Sequence, residues 1–244
     1  VLAKSLVIAA VSLVSLATSA SATTIGLWST GVCWGQNTNL AACQGGVAGA
    51  LLNFGANDNN YQIIANGIGA PNGANSTSTE SAFGPYLANN SGSEWIEPGS
   101  ASLQGAAFPA GNWTVQTTFD LTGFVASSLV LALDIAVDNL VSVNINGHAI
   151  SGFSPSCNAT TAPQCFSLFQ SNHNIDNTAA GGYLPGVNTL QFVVTNSDGP
   201  GSNPTALRVQ AIGNATLSGV PEPGTWALLG LGLTGLGLLR RKIG

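Results

Sequence analysis

Apolar and polar residues alternate with a period of two over several stretches of this chain, the pattern of strands with one buried face. Trp113, Val115, Thr117, Phe119 and Leu121 fall on one side, and Leu129, Leu131, Leu133, Ile135 and Val137 form a second row. Val141, Val143 and Ile145 follow and run into Asn146-Gly147, a hairpin turn signal. Leu190, Phe192 and Val194 make a further row, and Leu207, Val209 and Ala211 another. Shorter strands are expected at residues 25–28, 61–65 and 95–97. Residues 47–53 read equally well as a short helix or a strand. Residues 71–79 are polar and read as a loop. No long stretch between the two ends has helical periodicity. The expected fold is therefore all-β, a jelly-roll-type β-sandwich over residues 23–219 without an internal linker.

The two ends break this pattern. Leu6 to Ala17 is apolar apart from two serines, follows Lys4, and precedes Ala20-Ser21-Ala22. A positive start, an apolar stretch and small residues at the cut describe a signal peptide, so residues 1–22 are read as a signal helix cleaved after Ala22. At the other end, Val220-Pro221-Glu222-Pro223-Gly224-Thr225-Trp226 leads into an uncharged run ending at Leu239, then Arg240-Arg241-Lys242. Residues 225–239 as a helix would span roughly 22 Å, short of a hydrocarbon core of about 30 Å. The expected C-terminal transmembrane helix is thus a transient anchor, broken by glycines and held by a basic stop. Positive residues stay cytoplasmic, which leaves the middle outside the membrane. Gly230-Leu231-Gly232-Leu233-Thr234-Gly235 fits G-x-G-x-x-G, but a dinucleotide site needs a strand before it. Here the glycines lie in the apolar tail, and the match is rejected.

Charge sharpens the picture. Of 244 residues only 6% are charged, with five Lys and Arg against ten Asp and Glu. Four of the five basic residues, Lys4, Arg240, Arg241 and Lys242, lie in the end segments. Between residues 23 and 219, Arg208 stands alone against nine acids, a net charge of −8. A phosphate track cannot be neutralised by one cation, so nucleic acid is excluded as a partner. The four cysteines allow three pairings, and proximity favours Cys33–Cys43 and Cys157–Cys165 as disulfides of an exported protein.

Catalytic chemistry is sparse. No G-x-S-x-G elbow is present, and His148 and His173 have no metal-ligand spacing to each other or to acids. No enzyme and no cofactor are expected. The rival reading is a secreted carbohydrate-active hydrolase using two of the nine acids. Calcium is the one candidate ion, with Asp134, Asp138 and Asn139 as oxygen ligands close along the chain. For Asp138-Asn139 the plainer alternative is a turn whose side chains bond nearby backbone. Sugar binding would use aromatic faces with amide hydrogen bonds, and Trp95, Trp28, Trp34, Tyr61, Tyr86 and Tyr183 fall in or near expected loops. Trp113 starts an apolar row and is read as core.

Two segments resemble known families. Pro221-Glu222-Pro223, Trp226, the short Gly/Leu-rich helix and the Arg240-Arg241 cluster resemble the PEP-CTERM sorting signal, here residues 220–244. The resemblance implies signal peptidase and an exosortase as partners during export, transient insertion in the inner membrane, and removal of the tail. It implies a Gram-negative host that makes an exopolysaccharide, and a final place at the cell surface or in the extracellular matrix. In the middle, Thr30-Gly31-Val32, Asp58-Asn59-Asn60-Tyr61, Trp95-Ile96, Gly111-Asn112-Trp113, Asp138-Asn139, Asn146-Gly147 and Leu207-Arg208-Val209 follow in order. They resemble exported domains with a galactose-binding-like jelly roll, some of which bind sugars and some of which are spacers. The expectation is a non-enzymatic exported surface protein that binds exopolysaccharide, or else a structural coat.

Overall fold

The structure is a computed structural model that describes residues 22–68, 76–80, 84–99, 108–151, 165–197, 204–219 and 230–233. Residues Ala22–Leu217 form one compact unit. Its eleven strands are β1 (Ala22–Thr24), β2 (Asn57–Asn66), β3 (Ser76–Glu80), β4 (Trp95–Pro98), β5 (Gly111–Asp120), β6 (Val130–Asp138), β7 (Leu140–Ile145), β8 (His148–Ala149), β9 (Gln170–Ile175), β10 (Val187–Asn196) and β11 (Ala206–Thr216). All pairings are antiparallel, in the order β8-β7-β10-β5-β2-β3-β4-β11-β6-β9, with β1 on β11. The path folds into two faces. β5, β10, β7 and β2 supply one, β11, β6 and β4 the other, and β3 joins them through its pairing with both β2 and β4.

The alternating rows explain the sandwich. Trp113, Val115 and Phe119 of β5, with Leu190, Phe192 and Val194 of β10, share one buried cluster with Leu131, Leu133, Ile135 and Val137 of β6 and with Leu207 and Val209 of β11. The registers Phe192↔Val115 and Leu207↔Val137 line these rows up across neighbouring strands, and a one-residue slip would turn each row to solvent. Trp113 is fully buried and its indole N–H donates to Thr205 Oγ1 at 3.0 Å. β7 turns into β8 through Asn146 and Gly147, both at positive φ, as the Asn-Gly signal requires. The buried clusters among the described residues draw only on the Ala22–Leu217 unit, which therefore carries its own core.

The structure departs from the sequence reading in four places. Residues 25–28 are not a strand. Within this stretch Ile25 makes one backbone hydrogen bond to Gly213, and the paired strand is the preceding β1. Residues 47–53 are neither helix nor strand but a looped return with isolated bridges Val32↔Leu51 and Cys43↔Leu52. The polar stretch read as a loop contains β3, and β9 is a polar strand that lacks an apolar row. Among the described residues no helix is long and apolar enough to cross a membrane. The expected signal helix, and most of the expected tail helix, fall outside them. Residues 230–233 are one helical turn.

Candidate functional site

β4, β11 and β6 are covered on both faces. Leu207 and Val209 point into the main core, so Ala206 and Arg208, alternating with them, point the other way. There a second cluster collects Tyr86, Trp95, Ala136, Phe166 and Ala206, with Phe169 packed against it. Segments 84–94 and 165–169 close over this face.

The expected ligand residues fall at this second layer, but they do not form the expected site. Trp95 is fully buried and its N–H donates to the Leu87 carbonyl at 2.7 Å. Its ring meets Tyr86 edge-on at 4.9 Å, and Tyr86 stacks on Phe166 at 4.9 Å. No sugar face remains on Trp95, because strand pairing and the covering segments use both sides of β4. Asp138 accepts from the Tyr86 hydroxyl and, at 2.7 Å, from Asn139 Nδ2. Asn139 Oδ1 accepts from the Ser197 N–H at 2.8 Å. Both residues are buried at the connection from β6 to β7. Asp134 lies four residues from Asp138 on the same face of β6, about 13 Å away at a strand rise of about 3.3 Å. One calcium ion with ligand bonds of about 2.4 Å cannot take both carboxylates. Among the described residues no group of three or more His, Cys, Asp and Glu converges on a metal-sized site.

A different polar cluster was not anticipated as a unit. Arg208 is fully buried; Nε donates to Ser93 Oγ at 2.8 Å, Nη1 donates to the Leu87 and Ala88 carbonyls, and the guanidinium lies 4.7 Å over the Phe169 ring. Burial pulls its pKa down to about 10, opposed by attraction to Glu94, and it remains a cation at neutral pH. Glu94 is buried beside it. Its Oε1 accepts from Gln44 Nε2 at 2.9 Å, while Oε2, like Arg208 Nη2, has no hydrogen-bond partner among the described residues. Burial raises its carboxyl to about 7, with Asp58 adding to the rise and Gln44 and Arg208 opposing it. Asp58 is fully buried and accepts from Gly31 N at 2.7 Å, Asn37 Nδ2 at 2.9 Å and Asn60 N at 3.0 Å. Burial still raises it to about 6 against those three bonds.

Thr30 joins these groups. It exchanges backbone bonds with Glu94 and Val209, and its hydroxyl donates to the Glu94 carbonyl at 2.6 Å and accepts from Val209 N at 3.0 Å. Gly31 sits at φ 73°, and a Cβ there would lie 2.7 Å from Glu94 Cβ, so the next residue must be glycine. The cluster thus pins an excursion, residues 31–56, to the sandwich. Cys33 and Cys43 form a disulfide within it, Cα atoms 5.7 Å apart, packed with Leu52. Cys165 is also disulfide-bonded, and Cys157 lies outside the described residues. The available signal was the order of the short motifs around Thr30, Asp58, Trp95 and Arg208, which converge here.

Of the sorting and processing residues, Ala22 is described and begins β1, opposite Thr216 near the end of β11. The two ends of the body therefore leave from adjacent strands. Ala20, Pro221, Glu222, Pro223, Trp226, Arg240 and Arg241 lie outside the described residues.

No curated protein matches the chain. The family model of the PEP-CTERM protein-sorting motif matches residues 219–242. The chain therefore carries a bacterial sorting signal at its C-terminus, which implies recognition by an exosortase during export and a surface or extracellular destination.

Proposed function

We propose that this protein is a non-enzymatic component of the cell surface or extracellular matrix of a Gram-negative bacterium, and that its sandwich binds exopolysaccharide. Signal peptidase cuts after Ala22, the tail inserts transiently in the inner membrane, and the exosortase reads Pro221, Glu222, Pro223 and Trp226 with Arg240 and Arg241 as the stop, then removes the tail. The observation that carries this reading is the sorting motif at residues 219–242. The adjacent β1 and β11 ends support it, because one end of the body then faces the membrane while the rest is free to reach outward. The buried acids support a non-enzymatic role. Asp58 and Glu94 hold Gly31, Asn37, Asn60 and Gln44 of the body itself rather than flanking a cleft. The finer fold assignment, a jelly roll of galactose-binding type, belongs to the same proposal.

The test is genetic. In the producing cells, Pro221→Ala with Pro223→Ala should leave the protein in the inner-membrane fraction with its tail intact, while the unaltered protein reaches the surface or medium. Unchanged surface delivery of the double variant would remove the sorting mechanism. Export followed by hydrolysis of the cells' own polysaccharide would favour the hydrolase.

A further inference from the structure

The reading above leaves open where a polysaccharide is held and of what kind. We infer that the disulfide-stapled excursion presents Trp34, with Trp28 beside it, as a stacking platform for a neutral, hydroxyl-rich glycan; this inference rests on the polysaccharide reading and refines it.

Trp34 is 47% exposed, unusual for so large an apolar ring, on a segment that is otherwise tied down. Its backbone N–H donates to the Val32 carbonyl at 2.9 Å, and its own carbonyl accepts from Asn37 N and Asn60 Nδ2, both at 3.0 Å. The neighbouring Cys33 is held by its disulfide and by Gly49 N at 2.9 Å. The backbone beneath the ring is thus fixed before any ligand arrives, which lowers the ordering cost of binding. On one side Gly49 borders the Trp34 ring: a Cβ there would stand 3.6 Å from it, an ordinary contact distance.

Trp28 is half-buried, its ring centre 6.0 Å from that of Trp34 and tilted 45° to it. Its carbonyl accepts from the Tyr61 hydroxyl at 2.7 Å, but its indole N–H has no acceptor among the described residues. A Cβ at Gly35 would overlap Trp28 Nε1 and Asn60 Oδ1, so the excursion closes directly against this indole edge. Gln36 and Asn59 are exposed, and their side-chain amides bond no protein group among the described residues. Gln36 is two residues from Trp34, and Asn59 adjoins the Asn60 that braces it. The neighbourhood therefore offers aromatic faces with uncommitted side-chain amides beside them. A sugar has the matching surface, C–H faces above and below and hydroxyls around the rim.

Charge sets the class of glycan. Arg208 is the only Lys or Arg between residues 23 and 219, and it is fully buried. The body thus presents no exposed Lys or Arg to pair with uronate or sulfate groups, and its net negative charge repels an anionic polymer. A neutral glycan meets neither obstacle.

The experiment uses the oxidised protein as exported, titrated by calorimetry and Trp fluorescence with dextran, with cello-oligosaccharides, with polygalacturonate, and with the producer's own polysaccharide. The expected result is saturable binding of a neutral glycan, insensitive to salt between 50 and 500 mM, and none of polygalacturonate. Trp34→Ala should weaken it roughly tenfold or more, Trp34→Tyr should restore most of it, and Ile212→Ala, an exposed apolar residue on β11, should change nothing. Because Trp34 is half-exposed, Trp34→Ala should keep the parent melting temperature within about 2 °C. Binding undiminished in Trp34→Ala would overturn the platform while leaving the polysaccharide reading intact. Salt-sensitive binding of polygalacturonate alone would overturn the neutral class. No binding of any of these glycans would overturn both.

Discussion

Arg208 occupies a place that only a flat, delocalised cation suits. Three of its bonds run to Ser93 and to the carbonyls of Leu87 and Ala88, and its face lies on Phe169. A lysine has a charge but neither the fork nor the stacking plane. Arg208→Lys should cost about 2 kcal/mol and Arg208→Leu about 3 kcal/mol in urea unfolding, because the Ser93 hydroxyl and the buried Leu87 and Ala88 carbonyls lose their donor. Glu94 and Asp58 set a pH dependence of known sign. Both carboxyls are raised in the folded protein, to about 7 and about 6. The folded state therefore holds protons that the unfolded chain releases above its ordinary value of about 4. Their contribution to stability is full below that value and is lost as pH rises through 6 and 7. The melting temperature should be about 5 °C higher at pH 5 than at pH 8. Glu94→Gln keeps the bond from Gln44 and removes an unpaired buried charge, so it should flatten that profile; a profile that stays as steep would show that Glu94 is not its source. Little of this was legible in the sequence. Asp58 and Glu94 stand 36 residues apart among nine acids, and nothing in their spacing marks them as buried. Trp95, placed in or near a loop at the head of the strand expected at 95–97, is fully buried, as are Glu94 and Glu97 close by.

At the scale of elements, strands with one apolar row were legible and strands without one were not. β5, β6, β7, β10 and β11 carry their rows in the order the alternation predicts. β3 reads Ser-Thr-Ser-Thr-Glu, and its buried threonines donate to backbone carbonyls rather than packing as apolar residues. β9 lies at the edge of the path, where a polar sequence also discourages pairing with another molecule. Residues 25–28 have the composition of a strand, but Gly213 lets Ile25 approach β11 closely, and a Cβ there would lie 2.6 Å from Ile25 Cγ1. The excursion has its own small core, so its disulfide should matter locally. Cys33→Ser with Cys43→Ser should lower stability by about 2–3 kcal/mol, the chain-entropy value for a loop of this length. Hydrogen exchange should show the loss concentrated in residues 31–56, with β5 and β10 still protected. Uniform loss of protection would mean that the excursion and the sandwich unfold as one unit.

The whole molecule joins an exported body to a sorting tail. The body has one Lys or Arg, which is buried, and a net negative charge, and its two ends lie side by side on β1 and β11. A cut after Ala22 would leave Thr23 and Thr24 paired with Ala215 and Asn214, so processing at that end need not disturb the fold. The tail's role rests on the motif at residues 219–242. It was legible, because an address must be read from a short segment and so stays local in sequence. The proposed glycan face was legible only in part: Trp28 and Trp34 read as candidate stacking rings, and only the fold sets them side by side with Asn60 bracing the backbone beneath. The most direct test of the account is the intact mass of the protein recovered from the surface of its own cells. The account predicts a chain that starts at Thr23 and lacks residues 226–244. A mass that still includes Trp226 and the Arg240-Arg241 cluster would contradict it.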